Sequence, residues 1–412
     1  MRCLAWLLAV LLLPLTVAAM VVLASLDQTA LVTRGETISP RSIAQARSLL
    51  ESNDPRRLHR GDQRTADIPA ALIDEGINYL ASRSLHGRGA FVLAEDTAEI
   101  RLTVRAPGPW TPRYLNLSAI FREAEGEPQV AAAKVGTLPI PSVLVEWLLA
   151  SAVKAGGFGE EWQLTRQSIR QLVFEPARGM VGVTYVWEPG ILDHARSRVF
   201  SPDDIAHLQA AQRALAGLLD HHAARARVPL ATVLTPLLTR TGDATQQQAR
   251  ASLLVLATYL AGENLATLLP EARHWPRPRP LRLTLLGRDD SAQHFGISAA
   301  LAAWAGEPAA NAIGLYKELD DSRGGSGFSF ADLAADRAGT RFGQLVAQDS
   351  SRLKDALRGT LTDAELAPPL GGLPEYLSAD EFQRRFGGRG NRAYQQQLRE
   401  IERRVAALPL YR

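Results

Sequence analysis

Residues 289–343 read DDSAQHFGISAALAAWAGEPAANAIGLYKELDDSRGGSGFSFADLAADRAGTRFG and gather His, Glu and Asp at helical spacings with little loop between them. The spacing predicts three short helices. The first is expected to take Asp290 or Ser291 as N-cap and to run Ala-rich to Trp304, with His294 in its first turn and Ser298 one turn on. Gly306 ends it, and Pro308 suits the first turn of the second helix. On that helix Ala312, Leu315, Tyr316 and Leu319 form an apolar stripe, while Asn311, Gly314, Glu318 and Asp321 share another face. After the loop SRGGSGF, Ser329 reads as the N-cap of a third helix with Asp332 at N3. Asp332, Asp336, Gly339 and Gly343 recur along one side of it.

A histidine with several carboxylates on neighbouring helices is the make-up of an O/N-donor metal site or of a general acid–base pair. The stripe glycines, Gly314, Gly339 and Gly343, would let the helices approach closely. The candidate catalytic set is therefore His294, Glu318, Asp321 and Asp336, and the candidate ligands of a divalent metal are His294, Glu318 and Asp336. Each residue also has a purely structural reading. Asp332 fits a capping box, Lys317 and Asp321 an i,i+4 surface pair, and His294 a ring satisfied by a neighbouring backbone group. No H-E-x-x-H zinc motif is present.

The motifs HF at 294–295, KE at 317–318, Asp321, GFSF at 327–330, Asp332, Ala335 and Asp336 resemble a family of small bacterial periplasmic lipoproteins of unknown function. More distantly they resemble VanZ-like, teicoplanin-resistance-type membrane domains. The resemblance covers this stretch alone. It implies an envelope location and supplies no reaction. Cys3 departs from the lipoprotein pattern, because it precedes the hydrophobic run instead of following it. As the sole cysteine it also excludes internal disulfides and Cys-based zinc sites.

Working outward, residues 4–26 carry no charge and are long enough to span a bilayer. We expect residues 1–26 to be an uncleaved signal anchor, with cleavage near residues 18–24 as the alternative. The bulk would then face the periplasm from a single-pass position in the bacterial inner membrane. The 412 residues are 46% hydrophobic and 22% charged with a net charge of +3, an ordinary folded chain with room for two or three domains. Acidic and basic residues nearly balance, and no basic run is interleaved with aromatics. Nucleic acid is not expected as a partner.

The expected fold class is α+β: an antiparallel β-meander domain with a packed helix, then a mostly helical C-terminal domain. Residues 27–67 read as a polar helical linker and 68–190 as the β/α domain, with Ile100, Leu102 and Val104 alternating onto one buried face. A helix starting at Pro141 is expected behind this sheet. The phrases RYLNLSA and KVGTLPIP resemble membrane-anchored extracytoplasmic domains that are similar to one half of a tubular lipid-binding fold. With Val143, Trp147 and Leu148 over an apolar groove, that resemblance implies a lipid partner. Residues 191–280 read as helical, including a long helix over 245–269, residues 281–345 as the His/Glu/Asp core and 346–412 as a helical arm.

Two functions fit. In one, the chain binds or scaffolds at the periplasmic face and the polar cluster knits three helices together. In the other it is a metal-assisted hydrolase of an envelope lipid or glycan, acting through His294, Glu318 and Asp336. Membrane-embedded helices are argued against by Glu307-Pro308 and by apolar pieces too short to span.

Overall fold

The computed structural model describes residues 25–54, 57–106, 113–124, 127–155, 159–190, 200–223, 225–239, 245–324 and 326–412. Almost all of the expected anchor lies outside these residues. Among them, no helix is long and apolar enough to cross a membrane. The chain is α+β and divides into two compact units, Met1–Ser197 and Arg198–Arg412.

The first unit begins with a short strand β1 (Leu26–Asp27), then helix α1 (Pro40–Ser52), strand β2 (Gln63–Pro69) and helix α2 (Ala70–Leu85). The meander follows as β3 (Gly87–Leu93), β4 (Thr97–Arg105), β5 (Tyr114–Ala124), β6 (Glu127–Val135) and β7 (Leu138–Ile140). Helices α3 (Ser142–Ala155) and α4 (Gly159–Ser168) lead into a hairpin, β8 (Ile169–Glu175) and β9 (Met180–Val186). These strands make two antiparallel sheets, β3-β4-β5-β6-β7 with β1 added to β5, and β2-β9-β8.

Two expectations differ from the structure here. Residues 63–67 are expected in a linker and Ile68-Pro69 at the start of a helix; instead Gln63–Pro69 pairs residue for residue with β9, and the helix begins at Ala70. The helix expected from Pro141 behind the sheet is α3, which lies against β6, and α2 packs across β3. Ile100, Leu102 and Val104 share a face of β4 with the buried Ala98 but are themselves only half-buried. On its other face Thr103 Oγ1 donates to Asn116 Oδ1 (2.8 Å) and accepts from the Val32 N–H (2.9 Å), and Asn116 also binds Asp27 and Thr29. These buried polar ties fasten the segment after β1 to the sheet.

The second unit contains α5 (Pro202–Asp220), β10 (Arg227–Pro229), α6 (Leu230–Thr239), α7 (Gln246–Leu260) and β11 (Arg282–Thr284). After these come α8 (Asp289–Ala305), α9 (Glu307–Gly324) and α10 (Phe330–Ala347). It closes with α11 (Ser351–Arg358), α12 (Asp363–Leu366), α13 (Ala379–Phe386) and α14 (Arg392–Ala406). A large apolar core fills it, with Leu208, Leu215, Leu234, Leu253, Phe295 and Phe342 fully buried. The helix expected over 245–269 stops at Leu260. Gly262 takes a positive φ of 71°, and Asn264 caps a separate 3-10 turn by accepting from the Ala266 N–H. Glu263 and Asn264 face solvent, away from the His/Glu/Asp stretch.

Candidate metal centre

Helix α8 starts two residues before Ser291. Leu286 and Gly287 turn the chain at positive φ, the Leu285 N–H donates to the Arg288 carbonyl at 2.8 Å, and the helix opens at Asp289. Asp289 and Asp290 then occupy the first turn, where the helix dipole favours acids. His294 consequently sits in the second turn, and with Ser298 one turn on it faces inward; the two are 6% and 1% exposed.

Helices α8 and α10 pack so closely that a Cβ at Gly339 or Gly343 would overlap the carbonyl oxygen of Phe295 or Ala299. On α9, a Cβ at Gly314 would lie 2.8 Å from Asp336 Oδ2. The stripe glycines therefore permit the approach that carries Asp332 and Asp336 to His294.

Glu318 completes the group by an unusual route. In a capping box the N3 side chain accepts the N–H of the N-cap residue. Ser329 does cap α10, its Oγ accepting from the Asp332 N–H at 3.1 Å. Its own N–H, however, goes to Glu318 Oε2 at 2.8 Å, and not to the Asp332 carboxylate. A carboxylate from the neighbouring helix has replaced that of Asp332, whose side chain turns towards His294.

His294 Nδ1 lies 3.2 Å from Asp336 Oδ1 and 3.8 Å from Glu318 Oε1; Nε2 lies 3.8 Å from Asp332 Oδ2 and 3.2 Å from Lys317 Nζ. Ser298 Oγ donates to Asp336 Oδ1 at 2.7 Å. With the ring proton assigned to Nδ1, where Asp336 accepts it, Nε2 accepts from the Lys317 ammonium. One oxygen of each acid, Glu318 Oε1, Asp332 Oδ1 and Asp336 Oδ2, is buried and accepts no hydrogen bond among the described residues, although His294 Nδ1 and Arg288 Nη2 stand 3.8 Å from the first two. Ligand atoms from His294, Glu318 and Asp332 all lie within 4.8 Å of one another.

Of the residues expected from sequence, the structure brings together His294, Glu318 and Asp336. Asp321 is not with them. Its half-buried carboxylate takes the Lys317 ammonium at 3.0 Å, one turn along the same helix. Asp332 stands in its place, and its capping position hid it. Ser298, Lys317 and Arg288 also belong to the surroundings. Arg288 holds Asp290 at 2.6 Å and Glu375 at 2.5 Å, and lies 3.8 Å from Asp332.

Burial acts to lower the His294 pKa, but the facing carboxylates of Asp336 and Asp332 outweigh it and push it up to about 9. Burial, reinforced by Asp336, pushes Glu318 up to about 8. Asp332 is also raised by burial, against the pull of His294. Near neutral pH the group thus holds two protons more tightly than free side chains would. A divalent cation would supply the same charge.

The opening beside the cluster is small, about 30 Å³, lined by Gln293, His294, Ser298, Gly314, Lys317 and Asp336 together with three aliphatic side chains. A larger groove of about 440 Å³ in the same unit contains none of the cluster residues. Compared with protein-family models, with curated proteins and with solved structures, the chain has no match in any of the three. The resemblances drawn from the motifs remain expectations.

Proposed function

We propose that the protein is an envelope protein tethered by residues 1–26 to the bacterial inner membrane, whose C-terminal unit binds a divalent cation at the periplasmic face. His294 Nε2, once the Lys317 ammonium gives it up, Glu318 and Asp332 are the ligands, and Asp336 holds the imidazole by accepting from Nδ1. The observation that carries the reading is the convergence of three buried carboxylates on one imidazole, each with one oxygen that accepts no hydrogen bond among the described residues. A structural polar network is stable when every member is satisfied, and this one is not. An imidazole with carboxylates suits Mn²⁺, Fe²⁺ or Zn²⁺.

The size of the opening favours binding over hydrolysis. About 30 Å³ admits an ion or a water, not a lipid or glycan. The ion would tie α8, α9 and α10 together, in keeping with a binding or scaffold role.

In a melting experiment with the chelated full chain, titrated Mn²⁺ or Zn²⁺ should stabilise the C-terminal unit according to mass action. The gain is about 2.7 kcal/mol at a hundredfold excess over Kd, or roughly 5–10 °C for a unit of that size. Glu318→Gln should abolish the shift. Equal melting of wild type with and without metal would reject the site. For the tether, a reporter active only in the periplasm, fused after Arg412, should be active, and a silent one would reject that topology.

A further inference from the structure

The first half of the chain carries an apolar surface that the metal site does not use. On α3, Val143, Leu144 and Trp147 are 77%, 44% and 62% exposed, and Ala150 continues the stripe one turn on. Val145 is half-buried, and Glu146, exposed on the same turn as Val143 and Trp147, is the sole charge between Pro141 and Val153. Other exposed large hydrophobics are scattered singly, whereas these three share one turn of helix.

The sheet register relates this face to the uncharged run at residues 4–26. That run has no spacer after it: Leu26, its last residue, is already paired with Leu115 of β5. β1 continues the line of β6 along the edge of β5, since β6 pairs with β5 only from Leu117 onward. The turn at Gly136 sits against the Ser25 carbonyl, so the run enters the sheet beside the β6–β7 turn. Ile140, immediately before Pro141 and α3, pairs with Ala133, which is opposite Ala119. Four residues along and one strand across put the start of α3 about 14 Å from Leu26 at ordinary strand spacings.

We propose that the Val143/Leu144/Trp147 face of α3 lies in the headgroup region of the membrane that holds the N-terminal run. The inference rests on the tether. A run that spans a bilayer and passes directly into a sheet holds that sheet at the lipid surface. A helix about 14 Å away, apolar on its outer face and bearing a tryptophan, has the chemistry of an interfacial element. The partner is the lipid surface itself.

The test uses the full chain with Cys3→Ser and a single new thiol, Val143→Cys, carrying an environment-sensitive fluorophore, in phosphatidylcholine/phosphatidylglycerol vesicles. Glu51→Cys on exposed α1 is the control. The label at 143 should shift to the blue and be quenched by lipid brominated close to the headgroup, and the control should do neither. Flotation of the protein with a water-like label at 143 overturns this inference and leaves the tether standing. A blue shift without lipid quenching means that protein covers the face, and also overturns it. Failure to float with vesicles removes the tether, and the inference with it.

Discussion

At the residue scale, the centre is a contest between protons and a cation for the same atoms. In the metal-free protein His294 has a folded pKa pushed up to about 9 from 6.5, so its contribution is complete below pH 6.5 and is lost as the pH rises through 9. Glu318 is pushed up to about 8 from 4.5, so the folded state also holds that proton more tightly, and its contribution is lost between pH 4.5 and 8. Both signs agree: between pH 4.5 and 9 the chelated C-terminal unit should lose stability as the pH rises. The metal-loaded protein should gain stability over the same window, since the ligands must shed those protons to bind. Melting temperatures with chelator and with saturating Zn²⁺ should therefore diverge with pH. Asp336→Asn removes the main upward push on His294 and should flatten the chelated curve above pH 6.5. A chelated curve that rises through the window would sink this account of the charges.

At the level of the elements, what brings the acids together is the distance between helix axes. A methyl group added at Gly343 meets the Ala299 carbonyl, so Gly343→Ala must push α8 and α10 apart. We expect a loss of about 1–3 kcal/mol and weaker metal binding, read by chemical denaturation and by titration calorimetry. Gly76, in the middle of α2, has nothing within 4 Å of an added Cβ. There the same substitution should stabilise by about 0.5–1 kcal/mol through helix propensity. If Gly343→Ala is neutral, the close packing is not what assembles the site. The stripe glycines, the three helices and the His294–Glu318–Asp336 grouping were legible in the sequence because they follow from period and loop length. The exchange of Asp332 for Asp321 was not. It depends on which carboxylate reaches the Ser329 N–H, a contact between residues on two different helices that neither helix's own pattern encodes. The strand at 63–69 escaped for a similar reason, since its partner β9 lies more than a hundred residues along the chain.

On the scale of the whole molecule, the two units are built on different principles. The described core of the C-terminal unit runs from Phe200 to Leu410 and buries long leucine and phenylalanine side chains. Among the described residues of the first unit the buried apolar side chains are small, Val32, Ala81, Ala98, Ala133 and Val181, and polar ties such as Asn116–Thr103 and Asn78–Gly89 join its segments. Buried aliphatic and aromatic area is the main source of stability. Unfolding of the full chain should therefore show two transitions, with the first unit melting lower. Zn²⁺ should raise only the upper one, because every proposed ligand lies between His294 and Asp332. Asn116→Ala strips the buried Thr103 hydroxyl and the Leu31 N–H of their acceptor, and should lower only the first transition, by about 1–3 kcal/mol. Differential scanning calorimetry of wild type and variant, each with and without Zn²⁺, separates the four cases. A single transition that moves as a whole with both metal and Asn116→Ala would show that the two units share one cooperative core.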